Sequence, residues 1–358
     1  MHATLNSRTG TSLDNGHTDV LGWGRGLKNS IRVTGISTAI FLAACSPYVY
    51  NQEIEAFNGG VNAIAASYDT GRKSVSDTIA QQQQQAFVAR RVKLDLPDGC
   101  DQVDPTGSPP KLPGCAVVKF PATGSPAPTS VEIALASAAP AFDALKNYAG
   151  ALSAVTNAAD DAQLRSATQG LISSVDGLSA AVASVAPGAS SPQSKINAAG
   201  SVLGQAVAFY LDSKRYEVLR NAVPAIDSSI ATLGETVKAA LLTIRAQQLL
   251  ELQREMHAAA APLQSPTVGK LSAAEYQNDL SVLQSKVAAF NQIRSVDPQA
   301  TVAALVDAHH KLAQALQDDA RQAQPVYATM IAFLNSAAQL QSAFASGPAA
   351  PKLAGAKP

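Results

Sequence analysis

Three cysteines, Cys45, Cys100 and Cys115, are the residues of this 358-residue chain whose surroundings point to covalent chemistry. An odd number of cysteines in an exported protein requires either a free thiol or a modified one. The other chemistry-bearing groups are arranged less suggestively. His309 and His310 are adjacent, with Asp307 close by, whereas a helical metal pair needs a spacing of three or four. Neighbours on a helix point about 100° apart, so the two imidazoles are read as separate surface or core histidines. The carboxylate pairs Asp160-Asp161 and Asp318-Asp319 suit helix ends or solvated faces. There is no Glu-x-x-His pattern of di-iron bundles, no Cys-x-x-Cys-His haem site, no Gly-rich phosphate loop and no Gly-x-Ser-x-Gly elbow. The sequence therefore names no catalytic residue, no cofactor and no metal site, and the expectation is a protein that is not an enzyme.

The setting of Cys45 is the most specific stretch of the chain. Arg25, Lys28 and Arg32 precede an apolar run from Val33 to Ala44, twelve residues with Ile36, Ile40, Phe41 and Leu42 as its bulk. A basic region, an apolar run of roughly 7–15 residues and small residues at its end are the marks of an export signal. A membrane-spanning helix needs roughly 20 apolar residues, so this run is too short to span. Leu42-Ala43-Ala44-Cys45 resembles the lipobox of bacterial lipoprotein signal peptides. That resemblance covers about 18 residues and identifies a processing class. It implies that the Cys45 thiol is diacylated, that the leader is cut before it, and that the new amine is usually acylated as well. In enteric lipoproteins an Asp after the cysteine retains the protein in the inner membrane. Ser46 stands there in this chain, which implies the periplasmic face of the outer membrane over the inner membrane. Residues 1–27 are polar and Gly-rich and make the leader as a whole longer than the usual roughly 15–30 residues; a start codon placed too far upstream would explain the excess. The alternative is a buried N-terminal helix with an ordinary core cysteine.

With Cys45 lipidated on that reading, Cys100 and Cys115 are left to pair. The stretch between them is rich in Pro and Gly and has little to pack. A disulfide closing a loop of this size contributes about 3 kcal/mol in the chain-entropy picture and persists in an oxidising periplasm. Two unrelated thiols are the alternative. A metal site is disfavoured because zinc takes four ligands and no His or third Cys is near.

Charge narrows the partners. The 27 basic and 27 acidic side chains balance; residues 1–44 hold four of the former and two of the latter, which leaves a net charge of −2 for the rest. No basic footprint for nucleic acid is visible.

Periodicity sets the architecture. Ile54, Phe57, Val61, Ile64, Tyr68, Val75 and Ile79 fall on a heptad stripe, predicting a helix over about 51–92, with a possible kink at Gly71 and an exposed polyglutamine run, Gln81 to Gln85. Alternation at Val92, Leu94 and Leu96 and the short run Ala116 to Phe120 predict a small β-hairpin closed by the disulfide. Capping boxes open helices at Thr129-x-x-Glu132 and Ser272-x-x-Glu275. Further stripes run through Phe142 to Val155, Leu164 to Val185, Ile196 to Val218, Ile226 to Met256 and Tyr276 to Ile293. A break is expected near Asn157 to Asp161, a kink or restart at Pro224, and an end at Pro262 and Pro266. Asp297-Pro298 reads as N-cap plus first-turn proline of a last helix reaching about Ser346, kinked at Pro325.

The expected fold is all-α: an elongated bundle of six or seven long antiparallel helices with a small disulfide-closed β-hairpin or loop insertion. Residues 1–44 are the leader, 45–50 the lipidated tether, 51–346 the bundle with its Pro/Gly-rich insertion at 93–128, and 347–358 a disordered tail. The expected function is a lipid-anchored scaffold in the cell envelope that binds another envelope protein, with the loop at 97–128 as the best contact. Two alternatives belong to other classes. One is a membrane-active, pore-forming-like helical protein; the other is a small-molecule binder with a pocket between helices.

Overall fold

A computed structural model describes residues 50–91, 93–95, 118–119, 128–186, 211–318 and 323–348. The leader 1–44, Cys45, Cys100, Cys115, most of the 93–128 insertion and the tail from 349 lie outside the described residues.

The heptad stripe of the first segment becomes α1, Asn51–Arg90, a 40-residue helix about 60 Å long. Ile54, Phe57, Val61, Ile64, Tyr68 and Val75 are all buried. Tyr50 ahead of it is also buried, so the core begins within the stretch expected to be tether. α1 is followed by β1 (Leu94–Asp95) and β2 (Val118–Lys119), which pair antiparallel with Leu94 opposite Lys119. Then come α2 (Ser130–Asn157), α3 (Asp161–Val185), α4 (Leu211–Ala225), α5 (Asp227–Gln264), a 3-10 turn at Val268–Lys270, α6 (Ala273–Ser295), α7 (Pro298–Gln317) and α8 (Ala323–Ala345).

The local signals act where expected. Thr129 and Glu132 form a reciprocal capping box, as do Ser272 and Glu275. Asp160 caps α3 at the expected break, accepting from the Gln163 N–H. Asp297 caps α7 with Pro298 in the first turn, where no backbone donor is needed. Pro224 precedes a one-residue break at Ile226, so α4 and α5 are two helices, or one bent leg. The described residues hold eight α-helices. α5 ends at Gln264, between Pro262 and Pro266, as expected. One expectation is corrected. The last predicted helix is two helices, α7 and α8, and Pro325 sits in the first turn of the second rather than at a kink.

Directions differ from an all-antiparallel bundle. α2 is antiparallel to α1: Tyr68 donates to the Leu135 carbonyl near the start of α2, and Glu55 accepts from Ser153 and Asn157 near its end. α8, however, runs parallel to α1, since Gly60 meets Phe333 and Gly71 meets Phe344. α5 is parallel to α1 too, with Gly71 on Ile244 and Gln82 bonded to Glu251. The cause lies in α6 and α7. Going down α5 from Glu255 to Arg245, Gly234 and Asp227, the partners are Lys286, Ile293, Val302 and His309. α6 and α7 are therefore one return leg, restarted at Asp297-Pro298 without a reversal.

One apolar core joins these legs, with Tyr68, Tyr148, Phe57, Phe333 and Phe344 among its largest fully buried side chains. Tyr68 stacks on Phe142 with ring centroids 3.9 Å apart. Gly60 and Gly71 are notches: a Cβ on either would stand 2.3 Å from Phe333 or Ile244.

Candidate functional site

The expected site residues Cys45, Cys100 and Cys115 lie outside the described residues. A polar cluster in the described core is one the spacing rules passed over. It forms where α7 crosses the start of α5 and the middle of α2. His309 Nδ1 lies 2.8 Å from Asp227 Oδ1, and His310 Nδ1 lies 2.6 Å from Asp227 Oδ2. His309 Nε2 lies 3.0 Å from the Tyr148 hydroxyl, and His310 Nε2 lies 2.9 Å from the Gln314 amide nitrogen. Phe57 of α1 tilts against the His309 ring at 5.9 Å.

The two histidines thus share one site, contrary to the expectation drawn from their adjacency. The 100° rule concerns one helix and one small ligand atom. Here the acceptor is a carboxylate with two oxygens, delivered by the first residue of another helix, and each ring takes one oxygen. Tyr148 and Asp227 had no spacing signal, because each lies far along the chain from the pair.

Proton positions follow from what each group can do. An ionised carboxylate only accepts, so His309 and His310 donate from Nδ1. Burial holds the His309 pKa below the ordinary imidazole value, although Asp227 pulls it upward. His309 is therefore neutral near pH 7, its Nε2 accepts, and Tyr148 donates. For Asp227, partial burial raises the pKa, but the hydrogen bonds and charges of the two histidines outweigh it and hold it below the usual carboxylate value. Tyr148 is pushed well above the ordinary phenol value by complete burial, with Asp227 adding to the effect.

A phenol, an imidazole and a carboxylate in line have the form of an acid–base relay. Tyr148 and His309 are both fully buried, so no substrate atom reaches either ring. Solvent touches the cluster through Asp227 and the half-exposed His310. The arrangement can pass a proton between solvent and the core and can lock three helices together.

A second feature is a cleft of about 750 Å³ between α1 and the start of α2. Asp69, Arg72, Lys73, Asp77 and Glu132 line it beside Val75, Ile133 and Leu135. Lys73 and Asp77 pair with each other at 2.6 Å, and the Arg72 guanidinium lies 5.8 Å from the Tyr68 ring. Its charges are of both signs, so it favours neither an anionic nor a cationic ligand.

No helix among the described residues is long and apolar enough to cross a membrane. No protein-family model, curated protein or solved structure matches the chain.

Proposed function

We propose that this protein is a lipid-anchored helical scaffold of the bacterial cell envelope, tethered through Cys45 and binding another envelope protein. The reading rests on how few residues of sequence separate the lipobox-like stretch from the first helix. α1 begins at Asn51, and Tyr50 before it is already buried. Six residues of chain reach at most about 20 Å, so an acylated Cys45 would keep the N-terminal end of α1 close to the bilayer surface. Two or more acyl chains hold a protein on a membrane stably, whereas one does so marginally. The rigid part would then present helical faces at a fixed distance from the membrane, which is what a scaffold requires. The outer-membrane periplasmic face, the Cys100–Cys115 disulfide and the role of the 97–128 loop as a contact belong to the same proposal. The fully buried Tyr148–His309 pair supports a structural rather than catalytic use of the polar cluster.

The test is radiolabelled palmitate incorporation with membrane fractionation, wild type beside Cys45→Ser. Label and membrane association in the wild type, both lost in the variant, are the expected result. Absence of label in both would overturn the anchor and the compartment together.

A further inference from the structure

The two hydrogen bonds of the His309 ring respond oppositely to one added proton. Neutral His309 donates from Nδ1 to Asp227 at 2.8 Å and accepts at Nε2 from the Tyr148 hydroxyl at 3.0 Å. The first bond ties α7 to α5; the second ties α7 to α2. A protonated imidazole carries a hydrogen on both nitrogens and has no acceptor left. Its bond to Asp227 becomes charge-assisted and strengthens. Its bond to Tyr148 cannot persist as it stands, because two donors would face each other. Tyr148 has to turn and accept, and its own hydrogen is then stranded where neither side chain has any exposure.

The surroundings offer no relief. α1 presents the Phe57 ring to His309, and α8 packs Phe333 against that ring; both are neutral. From α5, Asp227 already holds His309 with one oxygen and His310 with the other. Besides Tyr148, Asp227 and His310 are the titratable groups that act on His309. His310 meets the same proton without conflict. It is half-exposed, its Nε2 lies 2.9 Å from the Gln314 amide nitrogen, and Gln314 can turn its amide to offer the oxygen instead. The bond forced apart is therefore the buried one between α7 and α2.

α2 is placed to give way at that point. Near its start Tyr68 donates to the Leu135 carbonyl, and near its end Ser153 and Asn157 donate to Glu55. Tyr148 lies between these ties, bracketed by Pro140 and Gly150. Pro140 has no N–H to give the preceding turn, and glycine holds a helix less well than alanine.

We infer that the cluster is an acid-responsive latch: one proton on His309 tightens α7 on α5 and releases the middle of α2, while both ends of α2 stay tied. Burial holds the His309 pKa below its ordinary value, so release falls below about pH 6.5. Asp227, with a lowered pKa of its own, stays ionised at about pH 5. Such a response differs from general acid unfolding in being local and in having opposite signs at the two interfaces. It does not depend on the lipid anchor.

Hydrogen–deuterium exchange of the full chain carrying Cys45→Ser reads the latch, at about pH 7.5 and about pH 5, corrected for the intrinsic effect of pH on exchange. In acid, residues 141–150 of α2 should exchange about tenfold faster or more, the scale set by one lost hydrogen bond. Amides around Asp227 and His309 should be unchanged or slower. Two variants separate the latch from general acid loosening. His309→Gln can donate to Asp227 and accept from Tyr148 but takes up no proton, so α2 should stay protected at both pH values. Tyr148→Phe lacks the bond at either pH, so its α2 should exchange at neutral pH as the parent does in acid, with no further response. Equal loosening of α2, α5 and α7, an α2 indifferent to pH, or a response that survives in either variant overturns the inference.

Discussion

Replacing Asp227 by Asn tests the polar cluster most directly, because it keeps the shape and removes one acceptor. The asparagine oxygen can accept from one histidine Nδ1–H, and its amide then faces the other. If His309 loses its acceptor, it must move its proton to Nε2. Tyr148 then has to turn from donor to acceptor, and its own hydroxyl proton is left without a partner where exposure is zero. A hydrogen bond to a charged group contributes about 1.5–3 kcal/mol, and the buried His309 bond falls in that range. The His310 bond is half-exposed and adds less. Asp227 is also the first residue of α5, where a negative charge contributes about 0.3–1 kcal/mol against the helix dipole. The expected loss near pH 7.5 is about 2–4 kcal/mol, a large share of a typical total of about 5–15 kcal/mol. Denaturant unfolding followed by circular dichroism measures it. A loss under about 0.5 kcal/mol, below the low end of a single hydrogen bond to a charged group, would refute the network as drawn.

The same cluster fixes a pH dependence. The folded-state pKa of His309 lies below its ordinary value. Above about pH 6.5 both folded and unfolded chains hold it neutral, and its contribution is flat. As pH falls through that value the unfolded chain takes up a proton that the folded chain refuses, so stability declines until the folded pKa is passed. Asp227, whose pKa is also depressed, adds a second loss at lower pH, below the usual carboxylate range. In the Asp227→Asn protein His309 loses the partner that raises its pKa, so it should titrate lower still. Imidazole resonances followed by NMR report this, and a His309 that titrates at or above 6.5 in the wild type would contradict the burial argument.

Two further predictions concern packing and the insertion. Gly60→Ala places a methyl 2.3–2.8 Å from three atoms of the buried Phe333 ring and should cost about 1–2 kcal/mol even after the helix gain of alanine, whereas Gly150→Ala, with nothing within 4 Å, should stabilise by about 0.5–1 kcal/mol; thermal unfolding of the pair would expose a mistaken α1–α8 crossing if both behaved alike. Cys100 and Cys115 should resist alkylation in the unreduced, denatured chain and react after reduction, and immediate reaction of both would show them to be separate thiols.

Local physics made much of the bundle legible. The stripe from Ile54 to Ile79 needs only the 3.6-residue period to be read, and α1 ends at Arg90 against an expected 92. Thr129 and Ser272 cap because the donors they satisfy lie three residues away. Direction was not legible. The break at Ile226 is the restart that Pro224 predicts; the junction Val296–Asp297, in a bundle expected to be antiparallel throughout, is as short as any turn and yet reverses nothing. No property of residues 296–298 taken alone separates a restart from a turn; the difference is that α4 and α5 together make a leg long enough to carry α6 and α7 end to end, from Glu255–Lys286 to Tyr216–Leu316. The polar cluster was illegible for a related reason. Its acceptor, Asp227, is 82 residues from His309, and its donor, Tyr148, is 161 residues away.

Those distant partners bear on a problem the heptad stripes create. α2, α5 and α7 present Ala, Leu, Val and Ile at similar spacings, and such stripes can slide by a turn, about 5.4 Å, with modest loss of apolar contact. The Tyr148–His309–Asp227 chain does not tolerate that slide: one turn removes both hydrogen bonds of a fully buried imidazole. Each polar group so stranded costs about 1–3 kcal/mol. A buried polar residue that fixes register in this way is well known in coiled coils. Gly60 and Gly71 act on the other interface of α1 by steric means, since Phe333 and Ile244 enter only where no Cβ stands. The polar cluster and the two notches set α2, α5, α7 and α8 against α1 in one register. On this argument, substituting His309 by a well-packed apolar residue would leave helix content high but broaden the amide resonances of α2, α5 and α7. Sharp spectra with native helix content would show that apolar packing alone selects the register.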